Sequence, residues 1–412
     1  MKPTSILKAA AMLLLCTISI SSQWFQQVSG TTVNLHSINS HHGNENFAWA
    51  CGDNGVILHT TNGGTNWVQQ VSGTTNDLYS ICFMESSSAP IMAVGEGGII
   101  LRTSNFGTNW VSINSPTTRT LRDISDFNFI AVGDSGTIIK SSNFGVDWVQ
   151  LPSPTTVRLN AVSAIFSNYI VGNNGTLLKG FSSGTNWVLA SSGSTADLNA
   201  VPLFGSADIT VGSSGLILRS TNSGSNWFTQ VSNTAVILRS VEYSVNNTSR
   251  IYICGDGATI LKSTNSGTSY GFQTTPVNVD LNSIFFYLGD DRGFCCGNGG
   301  TILKTTNGGG AIITAVSQNS NVMPGNFSLE QNYPNPFNPT TRINFSVPKN
   351  SSTLSLKVYD VSGRIVQVLH EGTMNAGNYS VDLEAGNLAG GVYFIRLASG
   401  NTNLTRKIIL LK

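Results

Sequence analysis

The chain has 412 residues, a net charge of +1 and only 10% charged residues. That length exceeds one ordinary hydrophobic core, so two or more domains are expected, and the near-neutral charge argues against a nucleic-acid or anionic-membrane partner. Its 43 glycines, with abundant Ser, Thr and Asn, supply the positive-φ positions of tight hairpins and point to an all-β class.

At the N-terminus, Lys2 and Lys8 lead into an apolar run from Ala9 to Ile20, followed by the small residues Ser21 and Ser22. This is the layout of a secretory signal peptide, here spanning residues 1–22 with cleavage near Ser22. A lipid-attachment reading would use Cys16, but Leu13, Leu14 and Leu15 precede it where a small residue is usual. The run is too short for a permanent anchor, and no later stretch is apolar enough for a stable transmembrane segment.

From residue 23 the chain repeats itself. The pattern Gly-x-x-Gly-x-(Ile/Leu)-(Leu/Ile)-(Lys/Arg)-x-x-Asn-x-Gly-x-x-Trp begins at Gly52, Gly95, Gly133, Gly172, Gly212, Gly255 and Gly297. Fifteen residues after the first six glycines stand Trp67, Trp110, Trp148, Trp187, Trp227 and Tyr270; the seventh copy has Ile312 there. Eleven residues after each aromatic comes Leu78, Leu121, Leu159, Leu198, Leu238 or Leu281. One further aromatic block, with Trp24, Leu35 and Ile38, opens the mature chain and has no glycine block before it.

Each repeat therefore encodes four short strands, and the half-repeats left over lie at opposite ends. A lone four-stranded sheet cannot bury both faces, so such sheets stack radially and must close into a ring to hide their edges. The predicted fold is a seven-bladed β-propeller over residues 23–311, its last blade completed by the strand beginning at Trp24. Leu-to-Gly distances vary (17, 17, 12, 13, 14, 17 and 16) while the other offsets hold, which places every insertion in the hairpin between first and second strands. Cys51, Cys254 and Cys296 precede repeat glycines where other copies carry Val94, Val132, Val171 and Val211, so they are expected as small buried hydrophobes.

The turn Thr60-Thr61-Asn62-Gly63-Gly64-Thr65-Asn66-Trp67 resembles the Asp-box hairpin of BNR-repeat propellers. The resemblance implies an Asx side chain capping the turn, supplied here by Asn62, Asn105, Asn143, Asn222, Asn265 and Asn307, with Ser182 in the fourth copy. The aromatic of each copy would pack beneath it. Over residues 24–311 the repeat is most similar to the photosystem II assembly-factor type of BNR propeller. That likeness speaks to fold, because the motif is structural and occurs with many functions.

Residues 312–326 read as a linker, and the texture changes at Phe327. Three prolines lie within Pro334–Pro339, which predicts an extended, polyproline-like lead-in. Alternating stretches follow at Arg342–Val347, Leu354–Tyr359, Ile365–Leu369, Tyr379–Leu383, Val392–Leu397 and Lys407–Leu411. Short strands at this spacing predict an immunoglobulin-like sandwich over 327–412.

The combination of Asn332, Pro334, Asn335, Pro336, Phe337, Asn338 and Pro339 with the Val358-Tyr359-Asp360-x-x-Gly363 turn, Gly391 and Tyr393, and the terminal Lys407–Lys412 run closely resembles the type A C-terminal sorting domain of the type IX (Por) secretion system of Gram-negative bacteria. The resemblance implies that residues 327–412 engage the type IX machinery, and that the propeller ends outside the cell or on the outer-membrane surface.

Signs of chemistry are sparse. No Gly-x-Ser-x-Gly elbow, phosphate loop or Cys-x-x-Cys pair is present, and no cofactor or metal is predicted. His41, His42 and Glu45 could be a metal cluster but fall in a variable hairpin, where a solvated loop is the simpler reading. Acidic candidates for glycoside hydrolysis are Asp77, Asp197 and Asp280 before the first strands, and Asp53, Glu96, Asp134 and Asp256 in the glycine turns; these recur at equivalent positions, as turn capping predicts. Arg119, Arg122, Arg158 and Arg239 form a candidate binding patch. A cationic ring of His59, Arg102, Lys140, Lys179, Arg219, Lys262 and Lys304 is expected to lay its stems over the blades with its heads in water. Trp49, outside the repeat register, is expected to pack in its second strand.

Three functions remain: a non-enzymatic binding or scaffold propeller with an extracellular ligand or envelope protein as partner, a sialidase-like or other glycoside hydrolase, and an assembly factor for an envelope complex. The first is favoured by the absence of a cleft-type motif.

Overall fold

The computed structural model describes residues 24–411 except 41–43, 45, 84–89, 126–127, 165–167, 182–183, 203–206, 245–246, 287–291, 310–316, 321–323, 350–351, 375 and 386–387. The signal-peptide and Cys16 expectations, His41, His42, Glu45, Ser182 and Ile312 lie outside the described residues.

Seven four-stranded antiparallel sheets follow one another along the chain. The first blade is Leu35–Ser40, Ala48–Gly52, Ile57–Thr60 and Val68–Gln70, and the same order recurs in blades 2 to 6. Blade 7 takes Leu281–Phe286, Gly293–Gly297 and Ile302–Thr305 from the end of the repeat region and Phe25–Gln27 from its start. Phe25 pairs with Lys304, Gln26 with Leu303 and Gln27 with Ile302. The leftover halves meet, and the ring is closed by a strand from the opposite end of the chain.

The hydrophobic core is divided into seven wedges, one at each seam between consecutive blades. The seam between blades 1 and 2 holds Trp49, Cys51 and Ile57 against Leu78, Ile81 and Phe83. The closing seam holds Phe294, Cys296 and Ile302 of blade 7 against Leu35, Ile38 and Ala50 of blade 1. Repeat aromatics reach back across these seams: Trp67 lies edge-on to Phe294 at 5.6 Å, and Trp110 Nε1 donates to Gln70 Oε1. The leading Leu of every repeat is fully buried, which is why its register is held while loops vary.

Two chain approaches account for the paired glycines. A Cβ on Gly52 would sit 2.0 Å from the Asn34 carbonyl oxygen, and one on Gly55, at φ +69°, would sit 2.2 Å from that of Thr74. In the sixth copy Ala258 occupies the second glycine's place at φ +59°, a left-handed conformation that a Cβ disfavours.

The C-terminal segment is a two-layered β-sandwich. One sheet runs Ser317–Ser320, Gly377–Glu384, Thr340–Val347, Ser328–Leu329; the other runs Ile365–Met374, Ser352–Tyr359, Gly391–Ser399, Thr402–Leu410. Ile343, Phe345 and Val381 from the first pack on Leu356, Val358, Ile395 and Ile408 from the second. Three features depart from the sequence reading. Ser317–Ser320, inside the stretch read as linker, pairs with Gly377–Glu384. The last strand starts at Thr402 rather than Lys407, because it pairs in register with Gly391–Ser399 from Ser399↔Thr402 onward. The proline segment does not run extended: Tyr333 bridges to Arg342 and Phe337 to Leu410, since its asparagine side chains fold the chain back on itself.

Candidate functional site

First strands lie innermost, so the residue after each leading Leu points into the hub. These residues line a cavity of about 220 Å³ that includes His36, Tyr79, Arg122, Asn160, Arg239 and Asn282. The glycine turns and the segments entering the first strands surround its mouth.

Nearly every polar group there is engaged in a bond that repeats around the ring. Arg122 makes a two-pronged contact with Asp134, Nε to Oδ1 and Nη2 to Oδ2, both at 3.0 Å. At the equivalent positions His36 pairs with Asp53 and Arg239 with Asp256, each through a single contact. Asp77, Asp197 and Asp280 each accept from the backbone N–H of a left-handed residue in a neighbouring glycine turn, those of Asn54, Asn174 and Gly257. The amide side chains of Asn160, Asn199 and Asn282 donate to the leading-Leu carbonyl of the following blade, at Leu198, Leu238 and Leu35. These acids hold turns and blades together.

One position deeper a second girdle runs from blade 6 through blade 1 to blade 4, broken where blades 4 and 5 carry Ala161 and Ala200. The hydroxyls of Ser37, Ser80, Ser240 and Ser283 accept from the N–H groups of Ile81, Ile124, Ile284 and Ile38, each in the next blade. Blade 3 carries Asp123 instead, which accepts from Val162 N–H and from the Ser80 hydroxyl. Burial pushes this carboxyl above the usual range, against the pull of its hydrogen bonds.

The four candidate arginines separate. Arg122 and Arg239 line the hub cavity, and Arg158 approaches Asp134 from its other side, Nε 3.6 Å from Oδ1. Loss of solvent, then repulsion from Arg122, lowers the Arg158 pKa. For Arg122 desolvation opposes the charge, but the Asp134 and Tyr79 contacts together outweigh it, and its guanidinium lies 4.4 Å from the Tyr79 ring centre. Arg119 is not among the cavity-lining residues. Sequence reasoning missed His36, Tyr79, Asn160 and Asn282, although aligning the repeats on the leading Leu would have exposed that variable position.

On the opposite face the asparagine turns are closely alike. Asn62, Asn105, Asn143, Asn222 and Asn265 each accept, through Oδ1, the N–H four residues on. Asn307 accepts from the Thr305 hydroxyl. Trp24, Trp67, Trp148, Trp187 and Tyr270 are buried, and Trp110 and Trp227 half-buried. The cationic ring differs from expectation: its heads do not simply enter water. Arg102, Lys179, Arg219, Lys262 and Lys304 donate to the turn carbonyls of the next blade, at Phe144, Ser223, Ser266, Gly308 and Gly63. Cys51, Cys254 and Cys296 are buried and unpaired, each thiol directed at a leading-Leu carbonyl of the following blade.

In the sandwich, the proline motif clamps the last strand. Asn332 Nδ2 donates to the Pro334 carbonyl and Thr341 Oγ1, and Asn335 Oδ1 accepts from Ile409 N–H. Phe337 is buried in the core, its backbone bonded to Ile409 and Leu411. Asp360 caps the turn ending at Gly363, and Tyr393 donates to the Ala389 carbonyl. Tyr333, 82% exposed, is the motif's outward-facing ring.

Among the described residues no group of three metal-ligating side chains occurs and no helix is long and apolar enough to cross a membrane. No curated protein matches the chain. Among solved structures, YCF48 bound to D1 peptide is 19% identical with a TM-score of 0.59, covering 69% of this chain and 97% of its own. YCF48 from Cyanidioschyzon merolae is 19% identical, at 0.57, over 68% and 98%. The WD40 repeats of RRP9 share the fold at 8% identity and 0.59, over 70% and 98%. Residues 331–411 match the secretion system C-terminal sorting domain family, so the chain joins a seven-bladed β-propeller to a sorting domain, which indicates type IX export to the cell surface or the extracellular space.

Proposed function

We propose that the protein is a non-enzymatic binding or scaffold propeller of a Gram-negative bacterium, made with a cleaved leader over residues 1–22 and displayed or released outside the cell by residues 327–412. One observation carries this reading. The glycine-turn carboxylates Asp134 and Asp256 are ion-paired with arginines, Asp53 is hydrogen-bonded to His36, and Asp77, Asp197 and Asp280 cap turns. Glycoside hydrolysis needs two carboxylates facing one cleft with room for sugar or water. Acids committed to repeat-equivalent bonds do not supply them, and the two further carboxylates that line the hub cavity are also engaged: Asp123 accepts from Val162 N–H and the Ser80 hydroxyl, and Glu242 from Tyr243 N–H. We read the asparagine hairpins as uncharged Asp-boxes, which serve the blades rather than a substrate.

The test is incubation of the purified mature chain with a glycan panel. The expected result is no release of reducing ends; cleavage abolished by a single carboxylate substitution would overturn the reading. A second reading, an envelope assembly factor, is favoured by the likeness to YCF48, one structure of which is bound to D1 peptide. Co-purification of an envelope protein, lost on Arg122→Ala, would select it.

A further inference from the structure

The face carrying the asparagine turns shows a feature that turn formation does not require. The residue after each described Asx cap is held left-handed: Phe106 at φ +56°, Phe144 at +58°, Ser223 at +54° and Ser266 at +56°, with Gly63 and Gly308 at +65°. Glycine and serine fulfil this position in other blades. A bulky aromatic is among the least suited residues for it, and strained positions of this kind gather at functional sites.

Both rings reach solvent, Phe106 at 43% and Phe144 at 60% exposure. Blade 4 adds Phe181, 49% exposed, on the strand entering the same turn. Three consecutive blades thus present phenylalanine on one face. Their placement is fixed from behind. Gln70 Nε2 donates to the Phe106 carbonyl at 3.2 Å and Arg102 Nε to that of Phe144 at 3.1 Å. Phe106 lies 6.1 Å from Phe47, while Phe144 meets Phe129 edge-on at 6.2 Å. Behind Phe106, the buried Trp49 stacks on His59 at 4.3 Å and on Phe83 at 5.5 Å. Trp49 Nε1 and His59 Nε2 have no hydrogen-bond partner among the described residues.

Most exposed side chains in these turns are neutral: Ser104, Thr108 and Asn109 in that of Phe106, and Ser142 in that of Phe144, where Asp147 is the one acid and is tied to Asn143 Nδ2. The negative face of an aromatic ring complements weakly positive C–H groups, and hydroxyl and amide side chains complement hydroxyls. A pyranose offers both on one small disc. We propose that Phe106, Phe144 and Phe181 form a platform that stacks on the sugar rings of a neutral polysaccharide outside the cell. This inference rests on the non-enzymatic binding reading and supplies its ligand class.

The test is affinity electrophoresis of the full mature chain in gels containing barley β-glucan, xylan, glucomannan or laminarin. Wild type should be retarded by at least one of them. The variant F106G/F144G/F181S should lose at least tenfold in affinity for that polymer. Because F106G and F144G place glycine at left-handed positions, their melting temperature should not fall, which separates lost binding from lost folding. Unretarded wild type, or a triple variant retarded equally, overturns the platform. Undiminished capture of a protein ligand by the triple variant would leave the binding reading standing and remove the sugar, whereas released reducing ends would contradict the non-enzymatic reading itself.

Discussion

Substituting Trp24 by alanine probes ring closure, because the closing strand is short and its anchor is one side chain. Phe25–Gln27 contributes only three paired residues to blade 7, so backbone pairing alone holds it weakly. Trp24 is fully buried, lies edge-on to Phe286 at 5.9 Å, and donates from Nε1 to Gln273 Oε1 of blade 6 at 3.0 Å. Truncating a buried Trp to Ala costs about 3–5 kcal/mol, and depriving the buried Gln273 acceptor of its donor adds roughly 1 kcal/mol. At about 2–4 °C per kcal/mol for a large domain, the melting temperature should fall by roughly 8–24 °C. Thermal unfolding followed by circular dichroism reads this directly. The control is Val28→Ala, one position beyond the strand and 84% exposed, which should stay within about 0.5 kcal/mol of wild type. If Trp24→Ala unfolds within about 1 kcal/mol of that control, the N-terminal strand does not seal the ring.

Other substitutions test other parts of the account. Burial pushes the His59 imidazole down to about 4; the unfolded chain then takes up this proton near its ordinary 6.5 while the folded chain does not. His59 should therefore cost the fold roughly 1–3 kcal/mol as pH falls from 6.5 towards 4, and His59→Leu should flatten that part of a melting-temperature profile. Asp123→Ser introduces the residue that blades 1, 2, 6 and 7 use there, keeps an acceptor for Val162 N–H, and should stabilise by about 1 kcal/mol at pH 7. The raised folded-state pKa of Asp123 means its contribution declines as pH rises above the unfolded value, so the gain should shrink in acid. Ala258→Gly should add roughly 1 kcal/mol by removing a Cβ from a left-handed position, read as a shift in urea midpoint. Phe337→Ala should cost the sandwich about 3–5 kcal/mol, read as earlier unfolding of that domain.

Blade number and closure were legible because the fixed offsets between glycine, aromatic and leucine are the lengths of packed turns, while loops absorb the variation. Cysteine in place of valine before the repeat glycine was equally legible, since only a small apolar side chain fits that seam. The fate of polar groups was not. Whether Arg102 or Lys304 ends in water or on a turn carbonyl depends on how far the next blade is rotated, which no residue spacing encodes. The hub residues His36, Tyr79 and Asn160 differ in type, so a search for similarity passes over them. The strand at Ser317–Ser320 is short and polar, and exists because Gly377–Glu384 offers it a free edge. The proline segment misled because composition favours extension, whereas Asn332 and Asn335 bond back to Thr341 and Ile409 and turn it.

Localisation of the chain in its native cells bears most directly on an exported binding propeller. Full-length protein should appear in the medium or on protease-accessible surface, and a chain ending at residue 326 should accumulate in the periplasm, folded. Equal delivery of the shortened chain to the outside would contradict the account.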